Sequence, residues 1–367
     1  MNLVNTKNSQ DILELIFGLY SNLLGDIDNR KYRDLFVSTQ LFKKNIERCL
    51  NTDIKIKQKT NSLNLIFNCI RNGNLDKWCF DLIKVYYVNY PLIKDSNEIL
   101  KMLIGISKIS ELDDSRYVKE LIEYKIHILI MHHNDIEWNP SLAESALRAL
   151  GNISSYTDTI NMEEPSVTIV ISFYKFSLKE LLDQGLITFL EFFINNYKED
   201  YNKFAQTLLW LIANISTENT IVIPQTIVKS NLIFDFIILH TKSNSHYIKK
   251  EAIWALVNLI TGSDFDLASI IVRKEGMECL IQEISSSEEP ELLLLTLEGI
   301  KNLLKLGDDF SELENQLNPF SYQFEKLKGE VALENLIKHP HKDVYNATRE
   351  LLNKYFGDMY MQEDNIY

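Results

Sequence analysis

A tryptophan and an asparagine four residues apart in LLWLIAN, Trp210 and Asn214, return in AIWALVN as Trp254 and Asn258. On a helix, a spacing of four puts both side chains on one face. A carboxamide on that face can donate to and accept from a peptide backbone, and an indole can stack on an aliphatic stem or a cation. This is chemistry for holding an extended peptide rather than for making or breaking bonds. Asn258 follows Asn214 by 44 residues and Asn302, in GIKNL, follows by 44 more, while Asn152, in LRALGNI, lies 62 residues before Asn214. An amide recurring at this period predicts a helical solenoid with a ladder of carboxamides along one surface.

Other reactive residue types form no comparable pattern. The chain contains no GxSxG, Walker, HExxH or dinucleotide fingerprint and no spacing that suggests a Ser/His/Asp set, so no catalytic residue and no enzyme is expected. His132 and His133 in MHHND, and His339 and His341 in KHPHKD, read as loop histidines, because neither pair has a cysteine or a set of carboxylates at ligand spacing. No metal and no cofactor is expected. Cys49, Cys69, Cys79 and Cys279 form no CxxC pair and read as buried free thiols of a reducing compartment.

The formal net charge of −13 repels nucleic acid phosphates and attracts basic partners, with association expected to slow as salt rises. No basic n-region followed by a long apolar run opens the sequence, and no stretch approaches 18 uninterrupted apolar residues. Neither nucleic acid nor membrane is therefore an expected partner.

The elements that must carry the ladder are helices. Apolar residues recur at three- and four-residue spacing almost throughout, as in Leu292, Leu295, Gly299, Leu303 and Leu306, and hairpin signals are scarce. Gly185, Asn231 and Gly276 stand where one short helix should end and the next begin, and they tolerate the left-handed conformation of a tight turn. Each precedes its ladder asparagine by a similar interval of 29, 27 or 26 residues. Two or three helices per period of about 40–47 residues is the pattern of armadillo and HEAT arrays. The expectation is an all-α armadillo-repeat, right-handed superhelical solenoid: one array over 1–367 of about eight repeats. Residues 156–175 read as an insertion, 306–327 as an irregular loop around Pro319, and 358–367 as a short acidic tail. In the first half Asn22 and Asn68 continue the ladder, with Lys108 at the next rung, and the positions four before them are Gly18, Asn64 and Ile104 instead of tryptophan.

Taken in order, GDIDNRKYRDL, LRALGNI, KKEAIWALVNLITG, EGIKN and LENLIKHPHKDVYNATRELLNKYFGD resemble importin-α (karyopherin-α), the armadillo adaptor for nuclear import. The resemblance runs from Ile12 and is strongest from Leu147 onward. It implies a concave surface that binds Lys/Arg-rich nuclear localisation signals in extended form, and residence in cytoplasm and nucleus. For the family's minor groove it implies Arg148 and Asn152, Trp210 and Asn214, Glu251, Trp254 and Asn258, with Asn302 on the next rung. Glu251 matches an acid that pairs with basic peptide residues, and Thr207 stands at the corresponding place before Trp210. For the major groove only Asn22, Asp26 and Asn68 match, Asp26 standing where the family has a carboxylate for a signal lysine, and the stacking walls are missing. A preference for the minor groove, or a narrower set of signals, is therefore expected. For Arg148 an intramolecular salt bridge is the favoured role, since a cation repels a basic ligand.

The match to the terminal repeat in LIKHPHKDVYNATRELLNKYF implies binding of the nuclear export receptor. The alignment begins within the family's third repeat, and the basic segment that binds importin-β does not occur in this sequence, so importin-β recruitment is not implied. The alternative reading is a non-transport armadillo scaffold, or a reduced regulatory import factor, that binds partner peptides without importin-β.

Overall fold

A computed structural model describes residues 7–25, 30–70, 76–112, 114–132, 139–154, 179–198, 201–217 and 221–357. All regular elements among these residues are helical. The insertion expected at 156–175, the tail at 358–367, Asp26 and His133 lie outside the described residues. The chain divides into two compact units, Met1–Leu186 and Ile187–Tyr367.

In the first unit, helices Lys7–Leu24, Thr60–Ile70, Ser96–Ser110 and Pro140–Ser154 pack each on the next as one layer. Helices Gln40–Leu50 and Cys79–Asn89 pack against that layer as part of a second. In the second unit the corresponding layer is Asn202–Ile215, His246–Thr261, Pro290–Glu314 and Lys342–Tyr355, and it is backed by Asn231–Thr241, Gly276–Ser286 and Gly329–Leu336. Helix therefore packs on helix in two layers, repeat by repeat, with neighbours burying one another's apolar faces. Each unit is an all-α stack of armadillo-type repeats. The four cysteines are buried free thiols, and burial pushes Cys49 and Cys69 up to about 12.

The helix His246–Thr261 shows how burial positions the surface. Ile248, Ala252, Ile253, Ala255, Leu256, Val257, Leu259 and Ile260 are buried, at about 1.5–3 kcal/mol for each large side chain. Tyr247, Glu251, Trp254 and Asn258 remain partly or fully open. Their three- and four-residue spacing makes them a single stripe along the helix. The same arithmetic leaves Lys203, Gln206, Trp210 and Asn214 on Asn202–Ile215, and Asn97, Lys101, Ile104 and Lys108 on Ser96–Ser110.

The turns depart from expectation in detail. Gly185 is left-handed, with φ +94°. At the second such turn Ser230 is extended, and its hydroxyl accepts from the Ile233 amide, so Asn231 begins an ordinary helix. At the third, Glu275 takes the left-handed conformation, with φ 67°. Gly276 is required for a different reason, because a Cβ there would lie 2.8 Å from the Ile271 carbonyl oxygen. Lys125 and Lys328 adopt the same left-handed geometry in their turns.

The irregular loop expected at 306–327 is instead mostly helical. Pro290–Glu314 continues past Asn302, held by Phe310, which stacks on Phe265 with ring centroids 3.8 Å apart. Pro319 opens the helix Pro319–Lys326, where a proline needs no amide partner, and Asn318 caps it by accepting from the Phe320 and Ser321 amides. Polar composition and a proline resembled a loop because both also mark a helix start.

A candidate peptide-binding ladder

Ladder asparagines tie each repeat to the one before. Asn258 Nδ2 donates to the Ala213 carbonyl at 3.0 Å, and Asn68 Nδ2 donates to the Ser21 carbonyl at 2.8 Å. Asn152 Nδ2 donates to the Ser107 carbonyl at 3.1 Å and to Ser110 Oγ, also at 3.1 Å. In all three the acceptor carbonyl belongs to the residue just before the preceding rung, which places 22, 108 and 214 on the ladder by geometry. Asn302 uses a variant, donating to Thr261 Oγ1 at 2.9 Å. The Nδ2 of Asn214 is buried without a hydrogen-bond partner among the described residues. An amide bonded through one N–H retains a second donor and its carbonyl oxygen for other chemistry.

In the second unit the ladder is flanked by an indole and a carboxylate. Trp254 is 42 % exposed, far more than core packing of a tryptophan would leave, and Trp210 is half-buried. Glu251 sits one turn before Trp254 on the same stripe. Burial pushes its carboxyl above the ordinary value, against Lys250 and a hydrogen bond from Gln206 that pull it down. Gln206 was not legible as a site residue. Thr207, which alignment alone sets opposite Glu251, turns inward, is buried, and bonds to the Lys203 carbonyl at 3.0 Å. The spacing of eight from Asn214 to Gln206, two turns and slightly more, is the signal that could have found it.

Next to Asn258 an open pocket of about 460 Å³ is lined by Ser216, Thr217, Thr261, Ser263 and Asp264. It lies where Asn202–Ile215 and His246–Thr261 end and where Val222–Lys229 and Phe265–Arg273 begin, so its acceptors are the hydroxyl oxygens and the Asp264 carboxylate, which also accepts from the Leu267 amide. Such a site suits the ammonium or guanidinium head of a basic side chain.

The first unit presents different chemistry at matching positions. Asn22 is exposed and Asn68 half-buried, but Lys101 stands where Glu251 does and Lys108 where Asn258 does. Arg148 pairs with Glu144 at 3.0 Å along its own helix. His132 Nε2 lies 3.0 Å from Gln184 Oε1, and the His341 amide donates to His339 Nδ1 at 3.1 Å. No group of metal-ligating side chains forms among the described residues.

Comparison places this ladder-bearing solenoid among armadillo-repeat proteins by fold. An engineered protein of known structure superposes with a TM-score of 0.66 at 15 % identity, over 91 % of this chain and 72 % of its own. A designed armadillo repeat protein in complex with the peptide (KR)4 superposes with a TM-score of 0.57 at 17 % identity, over 75 % of this chain and 98 % of its own. Over part of its length the sequence is similar to importin-α subunits. It is 26 % identical to importin subunit alpha-8 of Arabidopsis thaliana over 106 residues, 29 % of this chain and 24 % of that one. It is 25 % identical to importin subunit alpha-4 of the same plant over 165 residues, 44 % of this chain and 30 % of that one. The matched stretches thus span under a third of those relatives' length. No protein-family model matches the chain.

Proposed function

We propose that this chain is a non-enzymatic adaptor that holds Lys/Arg-rich nuclear localisation signals, in extended form, on the ladder of its second unit. The observation that carries the reading is the stripe Glu251, Trp254 and Asn258, an acid, an open indole and an amide in successive turns of one helix. Asn258 is fixed in place by its bond to Ala213. The amide's remaining donor and acceptor set the peptide's register, the indole face covers a lysine or arginine stem, and Glu251 reads the charge. The pocket beside Asn258 takes the head of a neighbouring basic residue, and the net charge of −13 draws the peptide in. The (KR)4 ligand of the designed armadillo neighbour and the importin-α relatives support the ligand class. The same relatives support residence in cytoplasm and nucleus, and the proposal extends to Lys342–Tyr355 with its preceding turn as a surface for the export receptor. Importin-β recruitment is not part of the proposal.

A second reading, a scaffold outside transport, has one observation in its favour. The ladder amides of Asn68, Asn152, Asn258 and Asn302 all contribute to holding repeats together, which a scaffold would need in any case.

A photo-crosslinkable Lys/Arg-rich nuclear localisation peptide, mapped by mass spectrometry on the whole chain, separates the two. Labels within residues 206–262, competed by unlabelled peptide, support the adaptor. Absence of competed labelling on this stretch would leave the scaffold as the better reading.

A further inference from the structure

We infer that Lys101 and Lys108 close the first unit's ladder to basic peptides and so confine such ligands to the second unit. This rests on the reading of the second unit's ladder as a binding surface for Lys/Arg-rich peptides.

The register is set by hydrogen bonds within the first unit. Because Asn152 Nδ2 donates to the Ser107 carbonyl, Lys108 occupies the rung held by Asn258 in the second unit. Lys101 lies seven residues earlier on the same stripe, which is the position of Glu251 relative to Asn258. One rung amide and one peptide-reading acid are thus both replaced by ammonium groups, and Ile104 replaces the indole between them. Lys101 Nζ donates to Asn64 Oδ1, and Asn64 stands one turn before the rung residue Asn68. The chain's own lysine therefore occupies an amide oxygen on this stripe. Lys108 has no hydrogen-bond or ion-pair partner among the described residues and is half-buried, so its charge remains uncompensated on the ladder.

Among the described residues, three carboxylates beside this stripe already have partners within the chain. Glu144 pairs with Arg148 at 3.0 Å. Glu111 Oε1 accepts from Ser107 Oγ at 3.2 Å and lies 3.5 Å from Asn152 Nδ2. Glu98 accepts from the Thr60 hydroxyl and faces Lys101. A ligand lysine approaching this stripe meets the ammonium groups of Lys101 and Lys108 at the two positions where the second unit presents Glu251 and Asn258. Like charges set against each other across an interface are strongly unfavourable.

The test is a gain of binding. In the full chain carrying Trp254→Ala and Asn258→Ala, which removes the second-unit site, Lys101→Glu and Lys108→Asn are added, and a labelled Lys/Arg-rich peptide is titrated. Binding is expected to strengthen by about tenfold or more over the parent. Lys101→Arg with Lys108→Arg, which keeps the charges, is expected to gain nothing, and a thermal melt verifies that each variant is folded. Equal affinity of the charge-reversed and parent proteins would overturn the inference, as would tight peptide binding at the first unit of the unaltered chain. Failure of the unaltered chain to bind basic peptide at all would instead count against the second-unit site, while the gain experiment would still decide this one.

Discussion

Asn258 donates its side-chain amide to the carbonyl of Ala213 at 3.0 Å, so a residue placed to clamp a peptide is also a rivet between two repeats. Binding and stability are therefore coupled at this position. Asn258→Ala removes the donor and leaves the Ala213 carbonyl with the Ser216 amide alone, at a cost of about 1 kcal/mol in unfolding free energy. A urea or guanidinium titration is expected to show the midpoint fall with an unchanged slope. Peptide affinity is expected to fall as well.

Trp254 behaves differently because its ring is 42 % exposed. Truncating a core tryptophan costs about 3–5 kcal/mol, whereas Trp254→Ala is expected to cost under about 1 kcal/mol. If the same variant loses peptide affinity by about tenfold or more, the indole serves the ligand and not the core. Chemical denaturation beside a peptide titration measures both quantities on one sample.

The first unit carries a pH-sensitive element unrelated to the ladder. His127 is fully buried, and Glu180 Oε2 lies 3.8 Å from its Nε2. Burial lowers its pKa from 6.5 to about 4, with Lys125 adding to the effect and Glu180 opposing it. A depressed pKa means that the unfolded chain binds the proton first. Stability is thus full above pH 6.5 and declines as pH falls toward 4, by roughly 3 kcal/mol from this group. Denaturant midpoints measured across that range should slope for the natural chain and flatten in His127→Leu. Equal slopes in both proteins would show that His127 is not the source.

Gly276 tests the turn geometry. A Cβ there would stand 2.5 Å from Ile271 Cγ2 and 2.8 Å from the Ile271 carbonyl oxygen, so Gly276→Ala must push backbone apart. It is expected to destabilise by about 1–3 kcal/mol, visible as a lower thermal midpoint. Gly185→Ala loses stability for another reason, since φ +94° strains any residue with a Cβ while the space around it is open.

The ladder was legible because its residues are the ones a fully apolar helix leaves over. In His246–Thr261 all residues from 251 to 260 are buried except 251, 254 and 258, and Trp and Asn at two of those positions repeat from one helix to the next. What sequence could not supply was the phase of each stripe. Thr207 and Gln206 are neighbours, and only packing decides that the threonine turns inward and the glutamine outward. Lys101 escaped notice for the same reason, since its match to Glu251 depends on knowing that Lys108 is a rung, which the bond from Asn152 to Ser107 fixes. The helix through residues 306–314 was misjudged because Phe310 finds its partner in Phe265, a contact no local pattern encodes.

The most direct measurement is the affinity of the whole chain for a labelled Lys/Arg-rich nuclear localisation peptide, by fluorescence anisotropy at two salt concentrations and two pH values. Binding should weaken as salt rises, and should weaken on acidification starting at a higher pH than a solvated glutamate of pKa 4.5 would give, because burial raises Glu251. Glu251→Gln should remove much of that pH dependence, and Trp254→Ala or Asn258→Ala should each reduce affinity by about tenfold or more. No binding by the folded chain, or binding indifferent to all three substitutions, would contradict a peptide site on the second unit's ladder.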